Sequence, residues 1–292
     1  MISEAELRRH AVAAGVDTMV QDLDYGLSWF LAGLFTQTAA VEYLVFKGGT
    51  CLRKCYFADY RFSEDLDFTL RRAWPLAALT EALEQVRVWS LDADGPDFGA
   101  APVRLEVVND EYGLESYQAR VYYRGPLRWG GPPRAIQLDV SRGEALLFPV
   151  TARALHHPYS DAGQLPPAAI PCYDLAEMLT EKLRAVSGQR RFAISRDIYD
   201  IHQLVGQNIA LAAVRQALPA KLAAKGLPPD IVAVASLVQR RPIFEDDWER
   251  RLAHLLPPRQ PVTFDAAWQA VIELVTALQV PGPVPDPGAA TS

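Results

Sequence analysis

Cysteine is scarce in this chain: Cys51, Cys55 and Cys172 are the only three in 292 residues. Three thiols do not make a disulfide or metal framework. Cys51 and Cys55, four apart on a predicted helix, read as simple packing, and a reducing cytoplasm is the expected setting. Long apolar runs are missing too. None reaches the roughly eighteen residues that span a bilayer, and no signal peptide precedes the first predicted helix, so no membrane partner is expected. Positive charge is in deficit, with 29 Lys and Arg against 35 Asp and Glu and a net charge of −6. A sequence pI of about 5.4 argues against a basic coat, while a local basic groove stays open. Glycine-rich phosphate fingerprints of the dinucleotide and Walker types, a nucleophile elbow and internal repeats are all absent from the sequence.

What is present is an ordinary soluble composition, 50% hydrophobic and 22% charged, long enough for one large domain or two modest ones. The informative stretch begins at Tyr43. An apolar run to Phe46 ends in Lys47-Gly48-Gly49, and paired glycines allow a tight turn and close backbone approach to a ligand. Thr50 is placed to cap a short helix to about Phe57. The segment Asp65-Leu-Asp-Phe-Thr-Leu70 then alternates as a strand does. Leu66, Phe68 and Leu70 face inward, and Asp65 and Asp67 share the other face. Two carboxylates on one face repel unless a cation lies between them. A hard divalent ion binds through one or two carboxylates plus substrate phosphates. An exposed acidic strand gives the same Asp-x-Asp pattern; the preceding Gly-Gly-Thr turn, with N–H groups for a phosphate chain, favours a site.

Gly48-Gly49-Thr50, the short helix and Arg61-x-Ser63-x-Asp65-x-Asp67 together resemble motif one of the DNA polymerase beta-like nucleotidyltransferase superfamily. The arginine-x-serine-x-aspartate-x-aspartate form is similar to the AbiEii/AbiGii (MenT-type) nucleotidyltransferase toxins of type IV toxin–antitoxin systems. The likeness runs over roughly residues 5 to 205. It implies an α+β fold: a polymerase beta-like nucleotidyltransferase core, with a small mixed sheet flanked by helices, and a mostly helical C-terminal lobe.

The rest of the chain is read in order. Ser3-Glu-Ala-Glu6 is a capping box, and Asp17 opens a second helix with one apolar stripe, leaving Ser28, Trp29 and Gln37 at its margins. Pro75 starts a helix through Val86, and residues 92–102 read as a loop. Val103–Val108 and Ser116–Tyr123 alternate as paired strands, and Ala135–Ser141 is the next strand, with Asp139 on its polar face. By itself Asp139 reads first as a strand-end residue bonding its own turn; the resemblance implies a third metal-binding carboxylate there. Residues 149–171, with five prolines, read as a long polar connection in which His156 and His157 are solvated. Asp174 caps a helix carrying Lys182 off its apolar stripe, and Ser195 is placed to cap the helix that follows. With Arg190-Arg191 and then Arg196-Asp197-Ile-Tyr-Asp200, this is similar to the family's second signature. A solvated helix face is the plain alternative. Further helices are expected over residues 211–224, 230–238, 246–256 and 264–278, with Arg240-Arg241 and Arg250-Arg251 as basic pairs.

The domain expectation is residues 1–150 for the nucleotidyltransferase domain with its leading helices, 151–280 for the helical lobe and 281–292 for a disordered tail. The resemblance implies transfer of a nucleoside monophosphate from an NTP to an acceptor hydroxyl, the 3′ end of tRNA, by a growth-inhibiting cytoplasmic toxin opposed by a separately encoded antitoxin. Asp65, Asp67 and Asp139 would bind Mg²⁺ or Mn²⁺. Gly48, Gly49, Thr50, Ser63, Arg53 and Lys182 would contact the nucleotide, with Asp197 beside Lys182 in the catalytic set. Two alternatives stay open: transfer to a protein or a small molecule such as an antibiotic, and a non-catalytic nucleotide-binding partner protein.

Overall fold

The computed structural model describes residues 1–109, 115–128, 130–189, 194–256 and 261–278. The basic pair Arg190-Arg191 and the expected tail from 281 lie outside them. Contacts divide the chain into two compact units. The first holds Met1–Glu144, Pro149–Tyr173 and His254–Pro261; the second holds Ala145–Phe148, Asp174–Ala253 and the chain from Val262 on. The chain thus changes unit at Glu144/Ala145 and Phe148/Pro149 as well as at Tyr173/Asp174.

In the first unit, α1 (Glu4–Ala14) starts at a Ser3 cap and stops at Gly15, which takes the left-handed conformation of a helix C-terminus. Helix α2 (Thr18–Gln37) starts at Asp17, whose carboxylate accepts from the Met19 N–H. A short α3 (Ala40–Tyr43) leads into β1 (Leu44–Lys47), followed at once by α4 (Gly48–Cys51), which continues as a π-helical segment, Leu52–Tyr56. Then come β2 (Asp65–Leu70), α5 (Leu76–Asp92), β3 (Asp97–Asn109), β4 (Glu115–Arg124), β5 (Arg134–Ser141), β6 (Thr151–Ala154) and β7 (Ala169–Cys172). The strands form one seven-stranded mixed sheet in the order β3-β4-β5-β2-β1-β7-β6. Strand β2 pairs antiparallel with β1 and parallel with β5.

One face of this sheet is the core. Helix α2 lies on it, with Phe35 against Phe68, ring centroids 6.1 Å apart, and Phe30 edge-on to Phe98 at 5.4 Å. Leu66 and Phe68 are fully buried there, so Asp65 and Asp67 point to the opposite face, as the alternation requires. Of the expected margin residues of α2, Gln37 is exposed, but Ser28 and Trp29 are both 0% exposed, because the helix is covered all round between Gln21 and Phe35. Such a helix buries its polar groups only if they are paired. Asp22 accepts from the Tyr123 hydroxyl at 3.1 Å and the Leu127 N–H at 2.9 Å. Asp24 ion-pairs with Arg53 and Lys54, each at 2.6 Å, and accepts from the Tyr159 hydroxyl at 2.9 Å.

Four sequence expectations about this unit are corrected. Strand β3 begins at Asp97, inside the expected loop, because Asp97 and Ala101 pair with Arg124 and Tyr122; as an edge strand it tolerates Pro102. The expected polar connection 149–171 contributes β6 and β7, with β7 parallel to β1 through Phe46 and Cys172. His157 is not solvated; its Nε2 lies 2.9 Å from Asp161 Oδ1, and burial pulls its pKa down. Cys51 and Cys55 are joined by Cys172, and all three buried Sγ atoms lie within 4.8 Å of one another.

In the second unit, α6 (Leu175–Arg184) is capped by Asp174, as expected, and α7 (Ser195–Val205) follows. The cap of α7 is a correction. Ser195 is its first residue, and Asp247 Oδ2 accepts from both the Ser195 N–H and its hydroxyl at 2.7 Å. The remaining helices are α8 (Leu211–Ala223), α9 (Val234–Asp247) and α10 (Phe264–Leu278). Lys221, buried on α8, pairs with Glu177 at 2.6 Å, and Glu177 accepts from the Leu147 and Phe148 N–H groups at 2.7 Å. That ties residues 145–148 to this unit. No helix among the described residues is long and apolar enough to cross a membrane.

Candidate active site

The polar face of the sheet carries a row of side chains in register. Lys47 on β1 stands opposite Asp67 on β2, Asp67 beside Asp139 on β5, Asp139 opposite Gln118 on β4, and Gln118 opposite Glu106 on β3. Register partners share a face, so the sheet brings Asp139 to Asp67 although 72 positions (139 − 67) separate them in sequence. Gln118 Nε2 donates to Asp139 Oδ1 at 2.8 Å, which orients that carboxylate. Asp65, two residues before Asp67, heads the neighbouring row, Asp65–Gln137–Arg120–Arg104. The sequence-derived set Asp65, Asp67 and Asp139 is therefore brought together on adjacent strands.

The glycine pair packs directly on this row. Gly48 has φ +78°, which only glycine adopts without strain, and a Cβ there would collide with Asp67 Oδ2. A Cβ on Gly49 would collide with the Arg61 guanidinium. The two glycines are thus the condition for a carboxylate and a guanidinium to close on one turn. Arg61 is 2% exposed and also donates to the Phe62 carbonyl at 3.1 Å. Thr50 does not cap the helix. Helix α4 starts at Gly48 with Lys47 as its N-cap and no side chain closing its end. Its first N–H groups have no intrahelical acceptor, which is what a phosphate uses. The Thr50 hydroxyl instead donates to the Asp65 carbonyl at 2.5 Å, pinning the helix to the start of β2. Ser63 is buried, two residues before β2 begins at Asp65.

Arg53 is placed elsewhere. Its Nε donates to Asp24 at 2.6 Å, its Nη1 to the Tyr60 carbonyl at 2.5 Å, and its guanidinium lies 3.6 Å over the Phe62 ring. It fixes the helix behind the glycines and lines a cavity of about 590 Å³ with Lys54, Tyr60, Phe62, His10 and His156. Burial opposes ionisation of Asp24, but the charges of Arg53 and Lys54 outweigh it and hold that carboxyl below its usual range. The cations the sequence reading missed are Lys47, 7% exposed and 5.5 Å over the Tyr173 ring, and Arg61. Their signal was present, since Lys47 precedes the glycines and Arg61 opens the second motif. Only the β1–β2 pairing shows that Lys47 stands beside Asp67, and only the Gly49 turn shows where the Arg61 guanidinium lies.

In the second unit, Lys182 Nζ sits 2.5 Å from Asp197 and 2.9 Å from Asp200, both buried on α7. Lys182 and Asp197 are therefore brought together, and Asp200 completes the cluster.

A mixed sheet with paired carboxylates on β2, a third on a parallel neighbour and a glycine turn opening a helix defines the nucleotidyltransferase class of fold. The profile of the AbiEii nucleotidyl transferase toxin family of type IV toxin–antitoxin systems matches residues 29–271. The chain belongs to that family. It is a nucleotidyltransferase toxin of the AbiEii/MenT type, for which an NTP is the substrate and an antitoxin the counterpart. In structure it is similar to MenT4, nucleotidyltransferase toxin Rv2826c from Mycobacterium tuberculosis H37Rv. That match has 22% identity and a TM-score of 0.65, and covers 96% of this chain and 90% of that one. It is also similar to JHP933 from Helicobacter pylori, at 17% identity and a TM-score of 0.49, covering 88% of this chain and 91% of that one. No curated protein matches the chain in sequence.

Proposed function

We propose that the protein transfers a nucleoside monophosphate from an NTP to the 3′ hydroxyl of an RNA acceptor, tRNA, and so blocks translation and growth. The observation that carries the reaction type is the row Lys47–Asp67–Asp139, with the Gly48–Gly49 turn seated on Asp67. Asp65, Asp67 and Asp139 offer only hard oxygen donors on one face, which fits Mg²⁺ or Mn²⁺ and not a soft metal. Bound there, the cation neutralises phosphate charge and lowers the pKa of a coordinated hydroxyl.

The chain's own groups do the rest. Open N–H groups at the start of α4 and the Ser63 hydroxyl take the β and γ phosphates. Lys47 and Arg61 offset charge that builds on departing pyrophosphate. Asp139, oriented by Gln118, accepts the proton of the attacking hydroxyl. The hydroxyl oxygen forms a bond to the α phosphorus, and the bond to the pyrophosphate oxygen breaks on the opposite side. Arg53 acts at a distance, by fixing the helix through Asp24.

The test is incubation of the purified protein with each α-labelled NTP and with total RNA, deproteinised tRNA, total protein or an aminoglycoside. Label in the tRNA band at the 3′ end, dependent on a divalent ion, is the expected result. Label in protein or drug alone overturns the acceptor.

A further inference from the structure

Strands β3 and β4 carry a juxtaposition that folding alone does not favour. Arg104 and Arg120 are direct cross-strand partners, both exposed, on the polar face that holds Asp139 and Gln118. Facing side chains on an antiparallel pair stand about 4.5–5.5 Å apart at Cβ, and like charges so placed destabilise the pair. Among the described residues no carboxylate forms an ion pair with either arginine. The pair lines a depression of about 160 Å³ together with Glu106, Gln118, Gln137 and Asp139. Arg104 lies 5.9 Å over the Tyr122 ring, so an aromatic face adjoins the two cations. Two facing guanidiniums with an aromatic beside them are complementary to a phosphodiester and a base.

We infer that Arg104, Arg120 and Tyr122 form the docking track for the acceptor RNA strand, holding the phosphates that precede the reacting 3′ hydroxyl. The inference rests on the RNA-acceptor reading above. Strand order supplies the geometry. Asp65 and Asp67 are on β2; the glycine turn and Lys47 lie on the β1 side, and the arginines lie beyond Asp139 on the β4–β3 side. At about 4.8 Å per strand, Arg120 is roughly 10 Å and Arg104 roughly 15 Å from β2. Those are the distances of the nucleotides just behind a strand end whose hydroxyl reaches the carboxylates. The triphosphate and the acceptor thus approach from opposite sides, and a protein of net charge −6 recruits RNA through one local track.

The experiment compares wild type, R104A/R120A, R104K/R120K and Y122A in steady-state transfer to tRNA, varying tRNA and NTP separately, with circular dichroism as the folding control. R104A/R120A is expected to raise KM for tRNA at least tenfold and leave KM for the NTP within twofold. It should also flatten the salt dependence of RNA binding by about 1.4 in log–log slope, since each lost single-strand phosphate contact removes about 0.7. R104K/R120K should restore most of the binding and Y122A should lose part of it. An unchanged KM for tRNA in R104A/R120A overturns the track, and a rise confined to the NTP reassigns the arginines to the triphosphate and also overturns it. If wild type labels no RNA, the acceptor reading itself has failed, which is a different result from wild type and variant labelling RNA alike.

Discussion

The Asp67 carboxylate lies so close against Gly48 that no side chain fits between them. Gly48→Ala therefore meets two obstacles, the carboxylate and a backbone at φ +78°. The left-handed conformation alone costs a non-glycine residue about 1–2 kcal/mol. The chain relieves the clash by moving either Asp67 or the turn, and both belong to the site. Turnover of Gly48→Ala is expected to fall at least a hundredfold, with only a modest drop in Tm. Gly163→Ala is the control, since a Cβ there meets nothing. Wild-type turnover in Gly48→Ala would separate the glycine from the phosphate turn.

The carboxylates should fail individually. Asp65→Asn and Asp67→Asn keep shape and remove charge, and each should reduce transfer by several orders of magnitude while leaving the circular dichroism spectrum unchanged. Asp139→Asn should be as severe if Asp139 takes the hydroxyl proton, and Gln118→Ala milder, about tenfold, because it only releases one orienting hydrogen bond. Chelation should stop the wild type, and added Mg²⁺ or Mn²⁺ should restore it. Full activity in the Asp65/Asp67 double variant would remove the site from this face of the sheet.

How much of this was legible in the sequence follows from range. The side of β2 on which Asp65 and Asp67 lie is a local, period-two property, and alternation with Leu66 and Phe68 fixed it. The caps at Ser3, Asp17 and Asp174 are local too, and the structure has all three. Lys47 could not be assigned, because its place opposite Asp67 is a pairing between strands. The resemblance puts Arg53 at the nucleotide; its ion pair with Asp24, on a helix nearly thirty residues earlier, is a tertiary contact that local sequence does not show. Strands β6 and β7 are hard to see in the sequence because they are short and rich in neighbouring proline, and β7's second partner, β1, lies far along the chain. The residue type of Ser195 suits a cap, but the acceptor at the start of α7 is Asp247, distant in sequence.

The Asp24 cluster predicts both a mutational and a pH effect. Asp24→Asn leaves Arg53 and Lys54 without their carboxylate, Lys54 being 2% exposed, and a buried pair broken on one side costs about 3–5 kcal/mol. Because the Asp24 carboxyl is held below its usual range, its contribution is fully present above the unfolded value near 3.9 and fades as pH falls through the lower folded value. Acid unfolding of the wild type should therefore be steeper than that of Asp24→Asn. Parallel acid-unfolding curves, followed by tryptophan fluorescence, would show that the carboxylate is not held down in the folded state.

Lys182 provides the last prediction. Its ammonium lies between Asp197 and Asp200, and the two carboxylates are 4% and 0% exposed. Removing the cation leaves two buried anions on successive turns of α7, so Lys182→Ala should cost about 3–5 kcal/mol within the second unit. Lys182→Arg keeps the charge but replaces a compact ammonium with a planar fork, and should recover only part of the stability. Family resemblance adds a second demand, that this lysine serves the nucleotide as well. The measurement that separates the two roles is kcat at saturating NTP and tRNA, taken at a temperature where Lys182→Ala is still folded by circular dichroism. A fall of at least tenfold in that folded protein is expected, because an interaction made in the transition state lowers kcat as well as binding. If the folded variant turns over at the wild-type rate, Lys182 is a clamp between α6 and α7 and nothing more.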